Sequence, residues 1–394
     1  MRTVAITTLG TTGYTEVVYR FQDGEEIRSS YPVHALVQKS GMRFDQTIVL
    51  LTDGARQANW ELMKIFLEDR GQTAGEIKDI SIPDGANSEE IWQIFEKIAE
   101  VVPENANLYI DITHGLRHLP MLLVMAAAYL RTAKNVTIKS LSYGAFELGK
   151  REQRDGRSVV TECNVFELLP FVALFDWAGA TKVFQETGNA SQLARLLRDT
   201  GATLGSEARA QIDSIADQLD KVTLALEVAR PEEAMQLAHE LRTRLDENAV
   251  RIRAYAKPFG LLKELLSKAF ERVSLPRPEA LGDRLHRQRD LIKWYFQRGR
   301  IALSAILARE WMISRRMRQR GIRDISDDER RDEIVEELNR GRGPQITQRE
   351  HEIWRELRKL RNEIAHAGQA DREPLTASKI KAKFEYILEQ LDRL

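Results

Sequence analysis

The chain has 394 residues, 43% apolar and 30% charged, a length that predicts two or three domains rather than one core. Its 59 basic and 59 acidic residues balance, which excludes a globally basic nucleic-acid coat and an acidic tail. A single cysteine, Cys163, excludes a disulfide scaffold and a thiolate zinc site.

The start, Met1-Arg2-Thr3-Val4, shows no secretory signal, and an intracellular, reducing compartment is the expectation. Val4–Leu9 is a β-branched apolar run closed by Gly10. Tyr14–Phe21 and Glu26–Tyr31 flank Asp23-Gly24, a hairpin signal. Pro32–Gly41 predicts a short helix. Thr47–Thr52 reads as a buried strand leading into Asp53, an N-cap, and a helix that Gly71 stops. Ile77–Ile82 is a third buried strand and Ser88–Val101 an amphipathic helix. Asn107–Ile112 is a fourth strand, and Leu116–Arg131 is a helix apolar on nearly every face. Its Leu119–Leu130 run of 12 residues is too short to span a bilayer, so no membrane is expected. Val136–Tyr143 is a fifth strand, and Ser158–Cys163 reads as an edge. This alternation predicts an α/β Rossmann-like domain over residues 1–168, with a parallel sheet and helices on both faces.

Residues 169–394 show no convincing strand and predict an all-α domain. Its helices are expected at Phe171–Thr187, Ser191–Thr200, Ser206–Ala229, Pro231–Tyr255, Gly260–Val273, Leu281–Arg320, Asp327–Asn339, Thr347–Ala367 and Thr376–Leu394. The charge is divided as well. Residues 1–168 carry 18 basic and 23 acidic groups, leaving 41 and 36 for the rest.

Two constellations carry chemistry. The first lies where strands end. Gly10-Thr11-Thr12-Gly13-Tyr14 follows the first strand, Thr52-Asp53-Gly54 the second, and Asp111-Ile112-Thr113-His114-Gly115-Leu116-Arg117-His118 the fourth. Glycines permit close backbone approach, and a helix start with Arg117 and two histidines favours a phosphorylated ligand. The Gly-x-x-Gly loop fails the dinucleotide fingerprint, and no P-loop Gly-Lys-Ser/Thr follows.

The second constellation is Arg361-Asn362-Glu363-Ile364-Ala365-His366, near the end of a helix that opens with a Thr347-x-x-Glu350 capping box. Histidine moves protons near neutral pH, and arginine holds a phosphate gaining charge. The pair suffices to cut RNA through its own 2′-hydroxyl. Positions five apart sit about 140° around a straight helix. Either the helix ends before His366, or two copies share the site. Upstream, Arg284–Arg323 holds 12 basic residues and two acids, with Trp294, Tyr295, Phe296 and Trp311 interleaved. The aromatics read as core and part of the charge as a nucleic-acid surface, which the eight acids of Asp324–Glu337 can mask.

Asp111-x-Thr113-His114-Gly115 resembles the signature of a CRISPR-associated family, and the Gly10–Tyr14 loop resembles the first-strand motif of its CARF domain. Arg361-Asn362-x-x-x-His366 is similar to the Arg-x(4–6)-His motif of HEPN ribonucleases. The order resembles the CARF–HEPN effector nucleases of type III CRISPR systems, in the prokaryotic cytoplasm. The resemblance implies a homodimer, or a higher homo-oligomer, whose paired CARF domains bind a cyclic oligoadenylate, tetra-adenylate ahead of hexa-adenylate. It implies paired HEPN domains that cut single-stranded RNA, with no metal or cofactor and a 2′,3′-cyclic phosphate product. Gly10, Thr11, Thr12, Gly13, Tyr14, Thr52, Asp53, Thr113, His114, Gly115 and Arg117 are the expected ligand residues. Arg361, Asn362 and His366 are the expected catalytic ones. A non-catalytic sensor whose helical domain binds a partner or nucleic acid stays open, as does breakdown of the ligand by the first domain.

Overall fold

The computed structural model describes all residues except 42, 70–75, 155, 272, 277–280, 345 and 370–372. The chain divides into two compact units, Met1–Phe175 and Asp176–Leu394.

The first unit runs β1 (Thr3–Thr8), β2 (Val17–Arg20), β3 (Glu26–Ser29), α1 (Pro32–Ser40), β4 (Gln46–Leu51), α2 (Asp53–Ala55), a π-helical turn at Arg56–Trp60 and α3 (Glu61–Asp69). It continues with β5 (Glu76–Ser81), α4 (Ser88–Val101), β6 (Asn107–Asp111), α5 (His118–Ala133), β7 (Thr137–Gly144), β8 (Lys150–Arg154) and β9 (Arg157–Glu167). Among the described residues the strands form one sheet in the order β3-β2-β9-β7-β6-β1-β4-β5, with β8 beside β9. The stretch β5-β4-β1-β6-β7 is parallel throughout. Numbered by their own succession these five strands lie 3-2-1-4-5, the Rossmann order, so the sheet reverses direction of growth between β1 and β6.

Every residue of β1 and β4 is buried, which is why these strands read as unbroken apolar runs rather than as alternation. Val4 and Ile6 join Ile94, Ile98, Leu119 and Leu123 in a cluster with α4 and α5. Ala5 belongs to a separate cluster with Val33, Val37 and Met63 of α1 and α3. Helices therefore cover both faces.

Three local expectations are corrected. The segment around Ser158–Cys163 is no edge. β9 is 11 residues long and interior, parallel to β2, antiparallel to β7 and flanked by β8, a strand the sequence pattern did not show. Thr52, not Asp53, caps the helix after β4: its backbone is still extended and its hydroxyl accepts Ala55 N–H at 3.4 Å. The helix after β6 starts at His118 rather than Leu116, because Gly115, at φ +107°, turns the chain first. The stop assigned to Gly71 lies outside the described residues.

From Leu169 onward the described elements are helices: α6 (Leu169–Thr187), α7 (Ser191–Gly201), α8 (Ser206–Glu227), α9 (Pro231–Glu247), α10 (Ala249–Tyr255), α11 (Lys257–Glu271), α12 (Leu281–Gln297), α13 (Ile301–Gln319), α14 (Asp328–Arg340), α15 (Gln348–Ala365) and α16 (Ala377–Leu391). The single helix expected over Leu281–Arg320 breaks at Gly299, whose left-handed φ of +70° lets Arg300 N–H reach Tyr295 O at 2.9 Å. Pro231–Tyr255 breaks likewise at Asn248.

Trp294, Tyr295 and Trp311 are core residues, so the interleaved aromatics offer no stacking surface. Much of the basic stretch is neutralised. Arg316 is fully buried, bonded to Pro344 O and Gln319, with Glu337 at 3.5 Å. Glu337 also pairs with Arg320, and Arg331 of α14 pairs with Glu310. The acidic stretch thus masks α13 mainly through one glutamate. No helix among the described residues is long and apolar enough to cross a membrane.

Candidate functional site

A parallel sheet places ligands beyond the carboxyl ends of its strands, at the point where strand order reverses. The first unit has a cavity of about 570 Å³ there. Leu9, Gly10, Thr11 and Thr12 line it after β1, Thr52 and Gly54 after β4, and Thr113, His114, Gly115 and Leu116 after β6. Asp84, after β5, and Glu147, after β7, complete the lining.

Asp111 organises this end of the sheet. It is buried, and its carboxylate accepts Thr7 Oγ1 at 2.7 Å, Thr113 N–H at 3.1 Å and Thr113 Oγ1 at 2.5 Å. Burial raises its pKa, and the threonine hydrogen bonds pull the other way. Thr113 in turn accepts Gly144 N–H at 2.9 Å, so the Asp111 and Thr113 side chains together join the ends of β1, β6 and β7. Thr8 donates to His114 O. A Cβ on Gly115 would lie 2.8 Å from Thr8 Oγ1, so glycine is required there for space as well as for φ.

His114 stands edge-on to Tyr14, with ring centroids 4.7 Å apart, and tilted against Phe146 at 4.9 Å. Burial drops its pKa to about 4, so it is neutral at physiological pH. Its Nε2 is buried without a partner among the described residues. Tyr14 OH accepts Gly10 N–H at 2.9 Å, and burial holds its phenol protonated.

The cavity brings together Gly10, Thr11, Thr12, Thr52, Thr113, His114 and Gly115. Gly13, Tyr14, Asp53 and Arg117 are not in its lining. Tyr14 supports the loop from behind, whereas Asp53 and Arg117 are exposed. The expected positive helix start is therefore absent from the cavity: its histidine is neutral, its arginine lies outside, and two carboxylates face in. Sequence reasoning missed Asp84, Glu147 and Asn59. Glu147 had no local signature. Asn59 sits in the π-helical turn and donates to Gly10 O at 2.8 Å and Thr12 O at 2.9 Å.

In the second unit, Thr347 Oγ1 accepts Glu350 N–H at 3.1 Å, half of the expected capping box. The other half is not formed, because Glu350 is buried and instead accepts Arg315 at 2.8 Å. Ile353, Leu357 and Leu360 bury one stripe of α15. The helix ends before His366, which caps it with its N–H on Asn362 O at 2.9 Å. Asn362 and His366, both exposed, line a hollow of about 540 Å³ with Lys359, Glu363, Lys383 and others. Arg361 is not in that lining; its Nη1 donates to Asn362 Oδ1 at 3.3 Å. One chain thus places two of the three expected catalytic residues on a common hollow.

The first unit is a doubly wound α/β domain with its cavity at the switch point, and residues 4–147 match the family model described as the CARF domain of CRISPR system endoribonuclease Csx1. Residues 173–275 match that of CRISPR-associated protein MJ1674, second domain. The chain is also 22% identical over 166 residues to the CRISPR-associated protein MJ1674 of Methanocaldococcus jannaschii. That similarity covers 41% of this chain and 23% of the relative. The likeness is to a CARF-containing CRISPR protein; neither family match reaches α15.

Proposed function

We propose that the chain is an RNA endonuclease of type III CRISPR defence, switched on by a cyclic oligoadenylate that the first unit binds. The observation that carries this reading is the cavity at the switch point, built around Asp111, Thr113, His114 and Gly115 inside the stretch that matches a CARF domain. Cyclic tetra-adenylate is the preferred activator in this reading, ahead of cyclic hexa-adenylate.

The active form is a homodimer. Met121, Met125 and Tyr129 form an exposed stripe along α5, at four-residue spacing, and exposed Trp92 stands on neighbouring α4. An apolar stripe of this kind is what an isologous helix-to-helix interface buries. In the helical unit, two copies supply together what one lacks. His366 accepts the proton of a ribose 2′-hydroxyl, the oxygen attacks the adjacent phosphorus, and the 5′-oxygen leaves with the proton that the imidazolium gives back. Arg361 meets the charge gained by the phosphorane, Asn362 orients it, and the product ends in a 2′,3′-cyclic phosphate.

The test mixes protein, a fluorescent single-stranded RNA and cyclic tetra- or hexa-adenylate in EDTA. Cleavage that needs the ring and disappears in His366→Ala is expected. Ring binding with RNA left intact would instead make the chain a non-catalytic sensor, a reading favoured by the absence of Arg361 from the hollow.

A further inference from the structure

The cavity at the switch point has a charge problem. Among the described residues its lining holds the acidic Asp84 and Glu147 and a neutral His114, and no lysine or arginine. Arg56, one turn ahead of Asn59, is committed elsewhere, to Asp79 at 2.6 Å and Ser81 at 3.0 Å. Among the described residues, a phosphodiester there meets threonine hydroxyls and backbone N–H groups rather than a cationic side chain.

The loop after β1 has the means. Asn59 is buried, and both of its amide hydrogens are used, on the carbonyls of Gly10 and Thr12. Peptide units are planar and trans here, so the N–H of each residue points opposite to the carbonyl before it. Drawing the carbonyls of Gly10 and Thr12 toward Asn59 turns the N–H groups of Thr11 and Gly13 the other way. Neither N–H has a hydrogen-bond partner among the described residues. Gly10 N–H is already taken by Tyr14. Both amides face away from Asn59 on a glycine-bounded loop, Thr11 in the cavity lining and Gly13 outside it, and are free to donate to an anion.

We propose that Asn59 is the positioning residue of an anion cradle: it aims the N–H groups of Thr11 and Gly13 at a phosphate of the bound ring. The inference rests on the cyclic-oligoadenylate reading and deepens it. It also gives the π-helical turn a purpose, since that turn directs Asn59 at the loop while Arg56 reaches the edge of the sheet.

The experiment titrates cyclic tetra-adenylate into wild type, Asn59→Ala, Asn59→Asp and Asn59→Ser, with glycine and threonine amides labelled with ¹⁵N. Binding is expected to weaken about tenfold in Asn59→Ala and further in Asn59→Asp, which sets a carboxylate against two carbonyls. Asn59→Ser keeps one donor and should fall between wild type and Asn59→Ala, a gradation that mere destabilisation of the fold does not produce. The Thr11 and Gly13 amide resonances should move on binding in wild type and stay still in Asn59→Ala. Affinities within twofold of wild type, or unmoved resonances at saturating ring, would overturn the cradle. Should wild type bind no cyclic oligoadenylate, the functional reading fails alone, and inorganic pyrophosphate becomes the probe. Shifts of the same two amides, lost in Asn59→Ala, would keep the cradle; their absence would end it.

Discussion

The two candidate sites are built in opposite ways. At the switch point, Thr7, Asp111, Thr113 and Gly144 are locked by short hydrogen bonds within one chain before anything binds. At the end of α15, Asn362 and His366 are exposed and Arg361 is not in their hollow. Preorganised donors cost no rearrangement when a ligand arrives. A site incomplete in one chain is silent until something completes it. In the proposed reading the contrast is functional: the sensing end is finished at rest and the cutting end is not.

That contrast can be broken most sharply by His366→Ala. Cleavage should fall by about 10²- to 10⁴-fold, the usual worth of a general acid or base, while affinity for the ring stays unchanged. Loss of ring binding as well would mean the two sites are not separable. Arg316→Ala probes the scaffold beneath the cutting end. Removing a fully buried guanidinium leaves Glu337 and Pro344 O short of a partner and should cost about 3–5 kcal/mol in a urea melt. Gly115→Ala attacks the sensing end, placing a Cβ against Thr8 in a left-handed backbone. With strain of about 1–3 kcal/mol, the ring concentration for half-maximal cleavage should rise severalfold or more, with the saturated rate retained. A changed saturated rate would show that this loop does more than bind.

The smallest effect is a pH dependence. His114 has a folded pKa of about 4 against 6.5 for a free imidazole. Between those values the unfolded chain binds the extra proton, so stability is complete above pH 6.5 and falls as pH drops toward 4. His114→Gln should flatten that limb in denaturant melts. Asp111 has the opposite sign, because its pKa is raised, and its contribution weakens as pH climbs above the ordinary carboxylate range.

The parallel core was readable because strands such as Thr3–Thr8 and Gln46–Leu51, buried on both faces, announce themselves as apolar runs. β9 was readable only in part, as an edge over Ser158–Cys163, because its pairing with β2, distant in sequence, leaves no local mark. The division at Gly299 was hidden inside a stretch rich in helix formers. The Asp111–Gly115 part of the cavity was legible as a motif. Asn59 was not: its role depends on a π-helical turn, and a local change of pitch leaves no mark in residue periodicity.

That turn has a genetic consequence. Shortening Arg56–Trp60 by one codon should return the helix to regular pitch and rotate residue positions by about 100°. The amide hand on the Gly10–Thr12 loop would swing away while the hydrophobic seam beyond it kept its composition. A single three-base deletion would thus release the Gly10–Thr12 loop without rebuilding the sheet.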